Sequence, residues 1–197
     1  IMWKYKKALI DHVYVGVEAT TQETLDIFKK DIKVEQSKKA LDLLNGQDIV
    51  TETSFVLGMP DDTKESMEKT IQLARYYNPD LAFFLAIAPW PYSDIYPYLK
   101  EHVAVKDYSK YNLVEPVVKP KSMTLKEVSE ILGRASREFY MYKINNLDLL
   151  TERKKEFMVK VVHIIATSSY LAETMKGTSM PEDVKKMLKK LKSQMVS

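Results

Sequence analysis

The residues of this chain best equipped for chemistry sit where apolar runs end. "VGVEATT" carries Glu18, "SFVLGMPDDT" carries Gly58 before Met-Pro, and "AIAPWPYSDIY" opens on Ala86-Ile87-Ala88. A carboxylate at the end of an apolar strand cannot be buried alone. Glu18 has no cation beside it in the sequence, so its donors must come from elsewhere. Vicinal ribose hydroxyls or an amino group would satisfy it, and so would a neighbouring backbone or hydroxyl group. Gly58 permits a positive φ or a close backbone approach, and Pro60 stiffens the turn that follows. Together they offer a bare backbone edge to a flat ring such as adenine, or they merely relieve crowding between a strand and a helix.

Other chemistries are excluded by what is missing. With no cysteine, the chain cannot form disulfides, act through a thiolate or ligate an iron–sulfur cluster by itself. The three histidines, His12, His102 and His163, are scattered with no ligand spacing. His163 lies in the apolar stretch "VKVVHIIATS" and reads as a core histidine. A net charge of +3, from 30 basic and 27 acidic residues, gives no footprint for nucleic acid. The longest apolar stretch, "LAFFLAIAPW", is about half a membrane span and is broken by proline. Nothing resembles a secretory signal, so a cytoplasmic location is expected. Because the sequence opens on Ile1, it reads as part of a longer protein.

The elements that must position these residues follow from periodicity. "HVYVGVEA" is β-branched and aromatic, as a strand should be. A short helix follows, capped by Thr20 or Thr21, with Leu25 and Phe28 on one face. A second helix carries Ala40, Leu41 and Leu44 and stops at Asn45-Gly46. After the strand "TETSFVLG", Asp62 and Glu65 have capping-box spacing, and Met67, Ile71 and Ala74 form a helical stripe. "LAFFLAIA" is nearly continuous in apolar character.

The order β-α-α-β-α-β with near-continuous apolar strands predicts a parallel sheet buried on both faces. Beyond residue 92 a tyrosine- and proline-rich segment reads as an extended, surface-hugging connection. Tyr92, Tyr96, Tyr98, Tyr108 and Tyr111 either pack it or line a substrate mouth. Thr124 and Glu127 form another capping box, before a long helix through Leu125, Val128, Leu132, Ala135 and Phe139. A second helix is expected over 149–176 and a lysine-rich one from Pro181, its lysines on a solvated face.

Taken together, the strand ends resemble a known family. "VGVEATTQETLDIFKKDIKVEQSKKALDLL", "SFVLGMPDDTKESMEKTIQLARYYNPD" and "AIAPWPYSDIYPYL" look like the fourth, fifth and sixth strands of a radical S-adenosylmethionine (radical SAM) enzyme. The nearest branch is the one with cobalamin-binding domains, typified by the anaerobic magnesium-protoporphyrin monomethyl ester cyclase. The resemblance covers residues 1 to about 145. It implies an α/β fold: a partial β/α (TIM-like) barrel, here three parallel strands with helices, plus a C-terminal helical extension. The implied division is 1–100 for the C-terminal half of the barrel, 101–145 for a connection and helix, and 146–197 for the extension.

Carried over by resemblance, Glu18 contacts the ribose and Lys30 approaches the SAM carboxylate. Ser54 meets the ribose, Gly58 forms the adenine edge, and Ala88 approaches adenine through its backbone. Two departures stand out. Pro91-Tyr92-Ser93 replaces the family's Pro-Gly-Thr, and Glu18-Ala19-Thr20 replaces its Glu-Ser. The family's three-cysteine loop, which binds a 4Fe-4S cluster, has no counterpart here. The chain alone would then be inactive, and the parent would generate a 5′-deoxyadenosyl radical or transfer methyl groups through cobalamin. The implied partners are a small-molecule substrate, tetrapyrrole-like or other, and the N-terminal half of the parent. Neither membrane nor nucleic acid is expected, and an unpaired sheet edge implies self-association or coverage by the C-terminal helices. A non-catalytic β/α module that binds a nucleotide or protein is the alternative. A cysteine-rich loop upstream of Ile1 would separate the two, and RNA binding would instead mark a tRNA-modifying relative.

Overall fold

The computed structural model describes residues 2–167. After a short helix α1 (Met2–Lys7), three strands alternate with helices: β1 (His12–Glu18), α2 (Gln22–Ile27), α3 (Val34–Asn45), β2 (Val50–Leu57), α4 (Lys64–Tyr77) and β3 (Leu81–Ala86). The strands form one parallel sheet in the order β1-β2-β3. This is the partial β/α arrangement the alternation predicts. The described residues divide into two compact units after Ala135, with the sheet in the first.

One face of the sheet carries the core. Val17, Thr53, Phe55, Leu57, Ala82, Phe84 and Ala86 alternate inward and are buried, as are Leu41 and Leu44 of α3 and Met67, Ile71 and Ala74 of α4. Phe55 stacks on Phe84 and meets the edge of Tyr77 from α4. The expectation of two buried faces is met only in part: Val50, Ser54 and Leu81 are buried on the second face, but several of their neighbours are not. On the opposite face Tyr14 is 53% exposed and Phe83 42%, and His12 pairs with Glu52 at 2.8 Å. The apolar runs of β2 and β3 concealed this, because Thr and Ser read as neutral in hydropathy and only register shows which residues share a face.

Local signals place the helix ends. Thr21 caps α2 by accepting from the Thr24 amide. The box before α4 is not Asp62 with Glu65 but Thr63 with Ser66, each accepting from the other's amide. Asp62 is drawn away by backbone donors described below. Asn78 ends α4 in the left-handed conformation, at φ 53°. Gly46 ends α3 at φ −64°, so its freedom is not used there. Asp80 holds the start of β2 to that of β3: its carboxylate accepts from the Thr51 amide and hydroxyl.

The segment after β3 is more structured than its composition predicts. It contains a short helix α5 (Tyr96–Leu99), two 3₁₀ turns and an antiparallel bridge between Val103 and Val118. Leu99, Val117 and Val118 are buried together with Met59 and Ile87 from the strand ends, and Ile95, Val105 and Tyr111 pack against them. A second small core therefore backs the end of the sheet. Sequence periodicity misses it because its members come from irregular backbone.

The long helix α6 (Leu125–Asn145) opens on the expected Thr124–Glu127 box. The Glu127 carboxyl is pulled down to about 2 by the Lys64 ammonium and by the Thr124 amide and hydroxyl. A depressed carboxyl stabilises above its ordinary 4.5 and stops doing so as pH falls through about 2. The urea midpoint of Glu127→Gln should lie below that of the parent chain at pH 7. The gap should narrow between pH 4.5 and 2; a gap independent of pH would contradict this assignment.

In the second unit a 3₁₀ turn (Leu147–Leu149) leads to α7 (Glu152–Thr167). Met158, Val159 and Val162 of α7 are buried, while His163, read as a core histidine, is only half-buried. The lysine-rich helix from Pro181 lies outside the described residues. Among those described, no helix is long and apolar enough to cross a membrane.

Candidate functional site

The C-terminal ends of the three strands lie side by side, where β/α folds gather their ligand sites. At the end of β1 the ladder skips. Val15 pairs with Thr53 but Glu18 pairs with Phe55, so β1 carries one extra residue. Such a bulge re-aims the side chain that follows it. The Thr53 hydroxyl bridges the irregularity, donating to the Val15 carbonyl at 2.6 Å and accepting from the Val17 amide at 3.3 Å. Glu18 then takes φ 63°, with Ala19 donating to the Val17 carbonyl across it at 2.7 Å. A tight three-residue turn on a non-glycine residue with positive φ stores roughly 1–3 kcal/mol of backbone strain.

The re-aimed carboxylate is not without protein donors. One oxygen accepts from the Ser54 hydroxyl at 2.9 Å and the other faces the Lys30 ammonium at 3.4 Å. Lys30 also donates to the Gly16 carbonyl at 2.9 Å. The cation that the sequence did not place beside Glu18 arrives from the loop after α2. A Cβ on Gly16 would stand 2.8 Å from the Glu18 carboxylate and 2.9 Å from the Lys30 ammonium, so this glycine makes room for the pair. The Tyr14 hydroxyl completes the cluster, 2.5 Å from Ser54 Oγ.

A second neighbourhood lies at the ends of β2 and β3. Gly58 has φ 86°, and a Cβ there would come within 3.3 Å of Val128. Both the freedom of glycine and its lack of a side chain are therefore used. Its amide and that of Met59 each donate to Asp62 at 2.9 Å. These two N–H groups are thus engaged within the protein, and the loop's edge does not present them to a ligand. The Ile87 amide donates to the Leu57 carbonyl at 3.0 Å, carrying the strand pairing past the ladder to buried Ala88.

The loops around both neighbourhoods are cross-tied. Lys29 pairs with Asp94 at 2.9 Å, and Tyr98 and Lys121 both donate to Asp61. The Lys121 and Tyr98 hydrogen bonds hold the Asp61 carboxyl below its ordinary value. Burial, together with the bond to Asp61, pushes the Tyr98 phenol up to about 12. Tyr98 therefore ties a loop. Tyr92 is 84% exposed and lies parallel to Trp90.

Of the five residues singled out, Glu18, Lys30 and Ser54 form one bonded cluster, and Gly58 and Ala88 flank the ends of the neighbouring strands. Sequence reasoning missed Tyr14, Gly16 and Thr53, and it read Asp62 only as a helix cap. Only the glycine in "VYVGVE" was a visible signal.

Polar groups thus gather at the strand ends of a parallel β/α sheet, and residues 2–74 match the family described as the radical SAM superfamily. That match covers the first two strands and the helices between and after them. It is 41% identical over 139 residues to an anaerobic magnesium-protoporphyrin IX monomethyl ester cyclase of Cereibacter sphaeroides, covering 71% of this chain and 23% of that protein. Identity to the protein of the same name from Rubrivivax gelatinosus is 40% over 139 residues, 71% of this chain and 25% of that one. An uncharacterized methyltransferase of Pyrococcus horikoshii is 30% identical over 131 residues, 66% of this chain and 28% of its own length. The chain thus spans about a quarter of each of these relatives.

Proposed function

We propose that this chain supplies the SAM-binding half of a radical SAM barrel within a longer enzyme. The observation that carries this reading is the bonded cluster of Glu18, Ser54 and Lys30 at the end of adjacent parallel strands. Its chemistry fits an adenosyl ligand. An ionised carboxylate keeps acceptor capacity for vicinal ribose hydroxyls. An ammonium has three donors, of which the bonds to Gly16 and Glu18 use two, leaving one for the ligand's carboxylate. Ala88 and the Gly58 loop flank the position for the adenine.

The cluster cofactor is different. The chain has no cysteine, and no group of metal-ligating side chains occurs among the described residues, so these residues cannot hold a 4Fe-4S cluster. In the parent, cluster and SAM together supply a 5′-deoxyadenosyl radical. This chain's part is to bind and orient the adenosyl group. The proposal extends to a cytoplasmic enzyme acting on a small-molecule substrate, tetrapyrrole-like or other, with the outer edge of β1 receiving the rest of the barrel or a second copy. Cobalamin in a separate domain belongs to the same proposal, for a parent that transfers methyl groups, as the name of the Pyrococcus relative favours.

The test is anaerobic reconstitution of the parent with iron, sulfide, SAM and reductant. We expect 5′-deoxyadenosine, or S-adenosylhomocysteine if methyl transfer is the reaction. A parent that carries a reduced cluster yet forms neither would overturn the reading in favour of a binding module.

A further inference from the structure

We infer that Tyr14 is a positioning residue for the adenosyl ribose, acting on Glu18 through Ser54. The inference rests on the reading of Glu18 as the ribose acid, and the direction of the hydrogen bonds carries it. Ser54 has one hydroxyl proton, and an ionised carboxylate only accepts. The 2.9 Å bond from Ser54 to Glu18 uses that proton. At 2.5 Å, the contact between Ser54 and Tyr14 must then run the other way, with the phenol donating. The chain therefore has one polarity: Tyr14 to Ser54 to Glu18, with Lys30 closing on the second carboxylate oxygen.

Each donor in such a chain strengthens the next. Without the phenol, the Ser54 hydroxyl keeps an unfilled acceptor and is free to rotate away from Glu18. The carboxylate then loses the contact that opposes the pull of Lys30 towards the other oxygen. Ser54 is buried, so water is a poor substitute. Tyr14 itself stands on the sheet face not covered by the core, and the residue is 53% exposed. Removing its hydroxyl therefore leaves core packing intact. A phenylalanine would serve β-propensity equally well; the hydroxyl is the part that the strand itself does not need.

The test compares adenosine with 2′,3′-dideoxyadenosine as competitors for bound S-adenosylhomocysteine in the reconstituted parent protein. The unaltered protein should prefer the ligand with the intact diol. Tyr14→Phe should cut that preference by about 5- to 10-fold, the scale of one hydrogen bond, while affinity for the dideoxy ligand and the melting temperature hold. Glu18→Gln should remove most of the preference. If Glu18→Gln leaves the preference unchanged, the ribose reading itself fails. If Glu18→Gln removes it but Tyr14→Phe does not, or weakens both ligands equally, Tyr14 is a structural residue only and the inference is overturned.

Discussion

Replacing Phe55 with alanine is expected to lower stability by about 4 kcal/mol and to move the urea midpoint down by about 2 M. Phe55 is fully buried in the central strand. Its ring stacks on Phe84 of β3, with centroids 5.6 Å apart, and meets Tyr77 of α4 edge-on at 6.1 Å. Tyr77 in turn donates to the Val34 carbonyl at the start of α3. Truncation would lose the transfer energy of the ring and open a cavity at the junction of three elements, with a rigid sheet on one side that cannot collapse into it. Phe83 is an internal control. It is the next aromatic position along β3, pairs with Ser54 in register and is 42% exposed. Phe83→Ala should cost far less, about 1 kcal/mol, since two-fifths of its surface is already in water. Chemical denaturation of both variants checks this, and equal losses would show that both faces of the sheet are buried alike.

Asp62→Ala is expected to cost about 3 kcal/mol, a large effect for a residue in a loop. Its carboxylate accepts from the amides of Gly58 and Met59, each at 2.9 Å, and from the Ser66 hydroxyl at 2.7 Å. Charge-assisted bonds of this kind are about twice as strong as neutral ones. Alanine would leave two part-buried amides without their acceptor and release Gly58 from its turn at φ 86°. Asp62→Asn retains one oxygen and should recover roughly half of the loss. Hydrogen exchange would localise the effect, with faster exchange at the Gly58 and Met59 amides and little change in β1. Unchanged exchange at those two amides would show that the loop is held by the packing of Met59 and Ile87 instead.

Asp62 also shows where reading from sequence reaches its limit. As a local signal it marks the N-terminus of α4, and it does lie there. The capping itself is done by Thr63 and Ser66, because two amides released by the left-handed turn at Gly58 compete for the carboxylate. The spacing of Thr124 and Glu127 was read correctly, since both partners of that box belong to one helical turn. The connection after β3 shows the opposite situation. Leu99, Val117 and Val118 share no period, so nothing local announced that they would close a core under Met59 and Ile87.

The amino-acid order alone determined the parallel β/α alternation, the buried stripes of α3 and α4, and the strand ends at which chemistry had to be sought. These follow from burial period and helix-end chemistry, which act over a few residues. Tertiary structure decided how the candidate site is wired. Lys30 reaches Glu18 across 12 residues and Tyr14 reaches Ser54 across 40. Between them, an extra residue in β1 and a positive φ turn the carboxylate towards these partners. Strand register and loop closure set those distances, and both emerge only when separate segments pack against one another.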